Sequence, residues 1–172
     1  GEGAADIVGD IILVIGFYNL NQPMSFSFTS EDDGRLKHVV IIENAVFEDY
    51  TWQYKMTITD EGQDANDNIA MQIFWDKNPI KGVAILNPYN IDRNTDPIFM
   101  ETMYRIDYSE AGEYGYTHHM IVTLDGLPLE NPLTQPYSMS TMKMFVGKNG
   151  DIVSVFGNSE HPNATFINGE TG

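Results

Sequence analysis

A chain of 172 residues with 25 acidic and 9 basic side chains carries a formal net charge of −16 and has a pI near 4.3. That length suits one domain, and so acidic a surface repels polyanions, which excludes nucleic acid and disfavours anionic membrane faces. With no cysteine there is no disulfide, zinc thiolate or cysteine nucleophile, and the longest apolar run, Ile11 to Ile15, is far short of the ~20 residues of a membrane helix.

Residues 1–6, GEGAAD, read as a cloning remnant or flexible lead joined to a mature start. A processed precursor has this appearance, so the expectation is an exported bacterial protein, periplasmic or on the cell surface, with a lipid anchor attached upstream. The first strand is expected near 7–17. "MSFSFTS" then sets Phe26 and Phe28 in phase, and a strand is expected over 23–30 and another over 36–47. In "WQYKMTITD" Trp52, Tyr54, Met56 and Ile58 share one face, predicting a strand over 50–60. "NIAMQIFWD" repeats the alternation with Ile69, Met71, Ile73 and Trp75 over 68–76.

Further strands are expected near 80–87, 98–108, 115–124, 138–147 and 151–157, with turn-forming Gly, Pro, Asn and Asp between them. Asn149-Gly150 suits a two-residue type I′ turn, because both central residues need positive φ. The result is one all-β domain of about ten antiparallel strands over 7–160, followed by a polar tail over 161–172. So many strands hide their edges by closing into a barrel, the favoured architecture, or by packing as a β-sandwich. The Pro-rich connection Asp125 to Tyr137 would serve the sandwich as a crossover.

The strand series from Ile7 to Phe156, with its Asn149-Gly150 hairpin, resembles the lipocalin-like or calycin superfamily, specifically its exported bacterial members. The resemblance implies a closed barrel that carries a small apolar or amphipathic ligand. The family's Gly-x-Trp signature is absent, Gly9-Asp10-Ile11 standing in its place, so no site residue transfers from it.

If Trp52, Tyr54, Met56, Met71, Trp75, Tyr116 and Met120 face inward, they line a mostly apolar pocket in which Tyr and His118 supply polar handles. The same side chains could fill the barrel instead. His118 shares its phase with Tyr116, Met120, Val122 and Leu124, whereas His119 points the other way. Asp92, Asn94 and Asp96 match the first three ligand positions of a calcium loop, but Pro97 and Met103 occupy its Gly and Glu positions. Asp64, Asn66 and Asn68 begin the same way and fail likewise, so calcium is limited to low-affinity surface binding and no other cofactor is implied.

No hydrolase, metalloprotease or phosphate-loop motif is present. Adjacent acids such as Glu48-Asp49 read as solvated turn charges, and Arg105 with Asp107 as a same-face ion pair. The expected function is non-catalytic binding of a small apolar molecule. The alternatives are a β-sandwich interaction module with a protein partner, and an enzyme with dispersed site residues.

Overall fold

The computed structural model describes residues 22–62, 68–130, 136–159, 165–166 and 170–171. Nine strands follow one another as an antiparallel meander: β1 (Met24–Thr29), β2 (Leu36–Phe47), β3 (Tyr50–Asp60), β4 (Ile69–Asp76), β5 (Lys81–Leu86), β6 (Met103–Ser109), β7 (His118–Glu130), β8 (Pro136–Asn149) and β9 (Ile152–Ser159). The all-β expectation holds, and the described strands match those read from alternation within a few residues. The strand expected at 7–17 lies outside the described residues.

Closure does not follow. Strand β1 pairs with β2 and β9 with β8, and no ladder joins β1 to β9, so the described strands form one open sheet rather than the expected barrel. A barrel needs its last strand to return within hydrogen-bonding distance of its first. A sandwich is not formed either: the only other ladder among the described residues joins β10 (Thr165–Phe166) to β11 (Glu170–Thr171). In the connection at 125–137, which a sandwich would use as a crossover, the described residues are strand, β7 and β8 pairing directly out to Glu130 and Pro136.

Register explains the main core. The row Ile41, Met56, Ile73, Ala84, Ile106, Val122 and Met144 runs across seven strands through direct cross-strand pairs. Period-two alternation places this row and its neighbours on one face. There Val39, Met71, Trp75, Leu86, Met120 and Leu124 are buried with it in a single cluster.

The opposite face holds a smaller cluster of Ala45, Trp52, Phe74 and Val83. Asn44, at φ 54, interrupts the alternation of β2, and beyond it the hairpin tip supplies residues to this second face. The β2–β3 turn then uses Glu48 (φ 50) and Asp49 (φ 61), both in the left-handed region, between the paired Phe47 and Tyr50. That is the type I′ requirement met without glycine, a conformation that stores strain in a non-Gly residue. At the β8–β9 hairpin the loop is Gly150-Asp151, one residue later than expected. Only Gly150 has positive φ (58), the type II′ pattern.

Where 98–108 was expected to be a single strand, a 3₁₀ turn occupies Pro97–Phe99 and β6 starts at Met103. Proline starts that turn readily, and Asp96 caps it by accepting from the amide of Ile98. A one-turn helix, α1 (Pro88–Ile91), precedes it and is capped by Asn87.

Candidate functional site

Two polar constellations stand out, and the first is structural. Lys37, only 2% exposed, donates to Asp33 Oδ2 and Asp60 Oδ1, each at 2.8 Å, and to the carbonyl of Asn90 at 3.1 Å. Arg35 Nε donates to both oxygens of Asp60 at 3.0 Å, and Arg93 Nε lies 2.9 Å from Asp60 Oδ2. Burial pushes the Asp33 carboxyl up, but Lys37 and the amides of Arg93 and Arg35 outweigh it and hold the group well below the usual carboxylate range. Asp60 is lowered in the same way, its desolvation overcome by Arg35 and Lys37. This network ties the β1–β2 turn, β3 and the loop after α1 together.

The loop at 87–97 is thereby accounted for. Asp92 Oδ1 accepts from the amide of Asn94 at 2.9 Å, Asp96 Oδ1 accepts from Ile98 at 3.0 Å, and Asn94 Nδ2 donates to the carbonyl of Asp32 at 2.8 Å. Asp92 and Asp96 serve local turns, whereas Asn94 reaches back to the β1–β2 turn. Among the described residues no group of three or more His, Asp or Glu is placed to hold a metal ion. Asp64 and Asn66 lie outside the described residues.

The second constellation is a cleft of about 330 Å³ on the second face. Its floor comes from sheet register, with Lys81, Ser109 and His119 in one cross-strand row and Val83, Asp107 and Ile121 in the next. Its wall is the β2–β3 tip, Phe47, Glu48, Tyr50 and Trp52, folded across the sheet. Phe47 stacks on Phe74 with ring centroids 4.4 Å apart, and Tyr50 donates to Asp76 Oδ2. A 3₁₀ turn at Glu113–Gly115 brings Glu113 and Tyr114 to the far side.

Every charge in the cleft has a partner. Arg105 forks onto Glu48, with Nη2 2.9 Å from Oε2, and onto Asp107 through Nε and Nη2 at 3.0 Å. Hydrogen bonding to Arg105 lowers the Glu48 carboxyl. Lys81 Nζ lies 2.8 Å from Glu113 Oε1, which raises the ammonium and lowers the carboxyl. Three carboxylates therefore face two cations.

Two nitrogens stand apart. His119 is 5% exposed and Trp52 also 5%, yet His119 Nδ1 and Trp52 Nε1 have no hydrogen-bond partner. Trp75 Nε1 has none either, but Trp75 lies in the core on the other face. Burial lowers His119, favouring the neutral ring. Its Nε2 is 3.8 Å from Glu113 Oε2, beyond hydrogen-bond reach, and Nδ1 is left to donate or accept according to the ring's tautomer. Tyr114 meets the ring edge-on at 4.9 Å and Phe145 stacks on it at 5.7 Å.

The residues expected to line an interior pocket are dispersed. Met56, Met71, Trp75 and Met120 are buried in the main core, and Tyr54 packs beside them, stacked on Trp75 at 5.4 Å. The phase of His118 was read correctly, but it opens β7 opposite Lys148, beyond the core rows, and is exposed. Tyr116 lies over Gly147, where an added Cβ would sit 2.6 Å from its ring. Trp52 alone reaches the cleft, by way of the break at Asn44.

His119, Glu113, Lys81, Arg105 and Glu48 were not read as a site. The available signal was the out-of-phase His119 with the same-face Arg105 and Asp107. No protein-family model, no curated protein and no solved structure matches the chain.

Proposed function

We propose that this protein is a non-catalytic binding module that holds a small amphipathic ligand in the cleft between the β2–β3 tip and His119. One observation carries the reading: an aromatic-walled cleft, two of whose lining residues, Trp52 and His119, keep a buried side-chain nitrogen without a hydrogen-bond partner. An unpaired buried donor or acceptor costs about 1–3 kcal/mol, which a ligand that completes the bond recovers. Against turnover, Glu113 is engaged by Lys81, and Ser109 is buried and hydrogen-bonded to Glu113 and to the amide of Ala111. The Ser109 hydroxyl is thus engaged by Glu113, and His119 Nδ1 receives no hydrogen bond from its cross-strand neighbour.

The test uses the chain's two tryptophans. A Trp75→Phe variant leaves Trp52 as the sole indole, and its emission is followed against a panel of fatty acids, retinoids, haem, sugars and nucleosides. A saturable change with any member supports the reading. No change across the panel, at concentrations that fill a micromolar site, removes it.

A second reading, an assembly module, is favoured by the two sheet edges. Phe26 and Phe28 on β1 and Val155 and Phe156 on β9 are 40–60% exposed. Among the described residues β1 and β9 each pair with one neighbour only, and such apolar edges recruit further strands. Sedimentation equilibrium decides: a concentration-dependent dimer weakened by Phe26→Lys supports it, and a monomer at every concentration refutes it.

A further inference from the structure

We infer, resting on the cleft reading above, that the ligand is a neutral polyhydroxylated molecule of the saccharide class, held between aromatic walls by Trp52 and His119. Charge narrows the choice first. An anion entering the cleft meets Glu48, Asp107 and Glu113, and a cation meets Lys81 and Arg105. Each of these groups is already paired, so a charged ligand must break an ion pair to gain its own. A neutral ligand leaves the pairs in place.

The orphaned nitrogens narrow it further. Trp52 Nε1 is an N–H donor and His119 Nδ1 a donor or acceptor according to tautomer, both without a partner, and both residues line the same cleft. A hydroxyl is donor and acceptor at once, so a molecule with several hydroxyls satisfies both without a dedicated geometry for each. A purely apolar ligand would leave the two nitrogens as they are, buried and unpaired, and recover none of that cost. Glu113 and Arg105, 37% and 33% exposed at their side chains, retain carboxylate lone pairs and one Nη1–H for further hydroxyls.

The walls complete the match. Phe47, Tyr50, Trp52 and Tyr114 present ring surface, and a sugar ring carries a C–H face beside its hydroxyl edge. A volume of 330 Å³ is at the small end of ligand clefts, about 300–1,000 Å³, and suits one or two sugar rings.

The experiment is an amide and indole NMR titration of the ¹⁵N-labelled protein with glucose, N-acetylglucosamine and maltotriose, beside glucuronate, glucosamine and a short-chain fatty acid. The expected result is a saturable shift of the Trp52 indole N–H by a neutral sugar while that of Trp75 stays fixed. Trp52→Phe and His119→Phe should each weaken binding about tenfold, the scale of one lost hydrogen bond. Both keep an aromatic ring, and the unchanged core resonances of the variants report that they are folded. Binding of a charged or apolar probe with no response to neutral sugars overturns the saccharide assignment and leaves the cleft as a binding site. Silence of Trp52 toward every probe, together with an unresponsive fluorescence panel, overturns both.

Discussion

Glu48 and Arg105, 57 residues apart, form a two-pronged ion pair that joins the tip of the β2–β3 hairpin to the middle of β6. Glu48 holds a left-handed backbone conformation at φ 50 while doing so. The strain and the pair belong together: a type I′ turn aims the Glu48 carboxylate across the second face, and Arg105 receives it. The pair fixes the wall of the cleft.

Both side chains are partly exposed, so solvent screening limits the energy involved. A double-mutant cycle with Glu48→Gln and Arg105→Gln should give a coupling of about 1 kcal/mol or less in urea unfolding. Ligand affinity should fall more than stability does, because the wall loses its anchor. A coupling near zero with unchanged Trp52 emission would show that the tip is held by Phe47 and Tyr50 alone.

The buried network at Asp60 is a different case. Asp60→Ala leaves Lys37, Arg35 and Arg93 around a site whose carboxylate had no exposed side-chain surface. Removing one partner of a buried pair typically costs about 3–5 kcal/mol. Urea unfolding should show a loss of that size for Asp60→Ala, against little change for Asp92→Ala, whose carboxylate serves an exposed turn.

Acid stability follows from the same groups. Asp33 and Asp60 are lowered in the folded state, so the unfolded chain binds protons more readily. Their contribution is complete above the ordinary value of 3.8 and is lost as pH falls below it toward the folded values. His119 is lowered from 6.5, so its contribution is complete above that pH and declines as pH falls through the window beneath it. Stability measured from pH 8 to pH 3 should therefore show an upper step that His119→Phe abolishes and a lower decline that it leaves intact. Persistence of the upper step in that variant would assign it to another group.

The methionines and Trp75 test core against pocket. Met71→Ala should cost about 2–5 kcal/mol, as expected for a buried side chain replaced by a cavity. It should leave the Trp52 response to ligand unchanged. A weakened ligand response with native stability would instead return Met71 to a binding role.

The strands and their order were legible because period-two alternation is a local property: Met56, Ile73 and Val122 declare their shared face within a few residues of chain. Acidity and the lack of cysteine, likewise, needed no coordinates. Sheet order followed from short turns, although the β8–β9 loop moved by one residue because Gly150 takes the position that requires positive φ.

Closure and the lining of the cleft were decided by tertiary structure. Alternation states which residues share a face but not whether the first and last strands meet, since that depends on register and twist summed over every strand. The fate of Trp52 was equally hidden, because one left-handed residue, Asn44, carries the hairpin tip to the other face. Glu48, Arg105, Lys81, Glu113 and His119 come from five separate segments. Their pairing is a through-space electrostatic event with no signature in sequence spacing. The sequence determined an acidic, all-β meander, and only the folded chain decided where its aromatic and charged side chains converge.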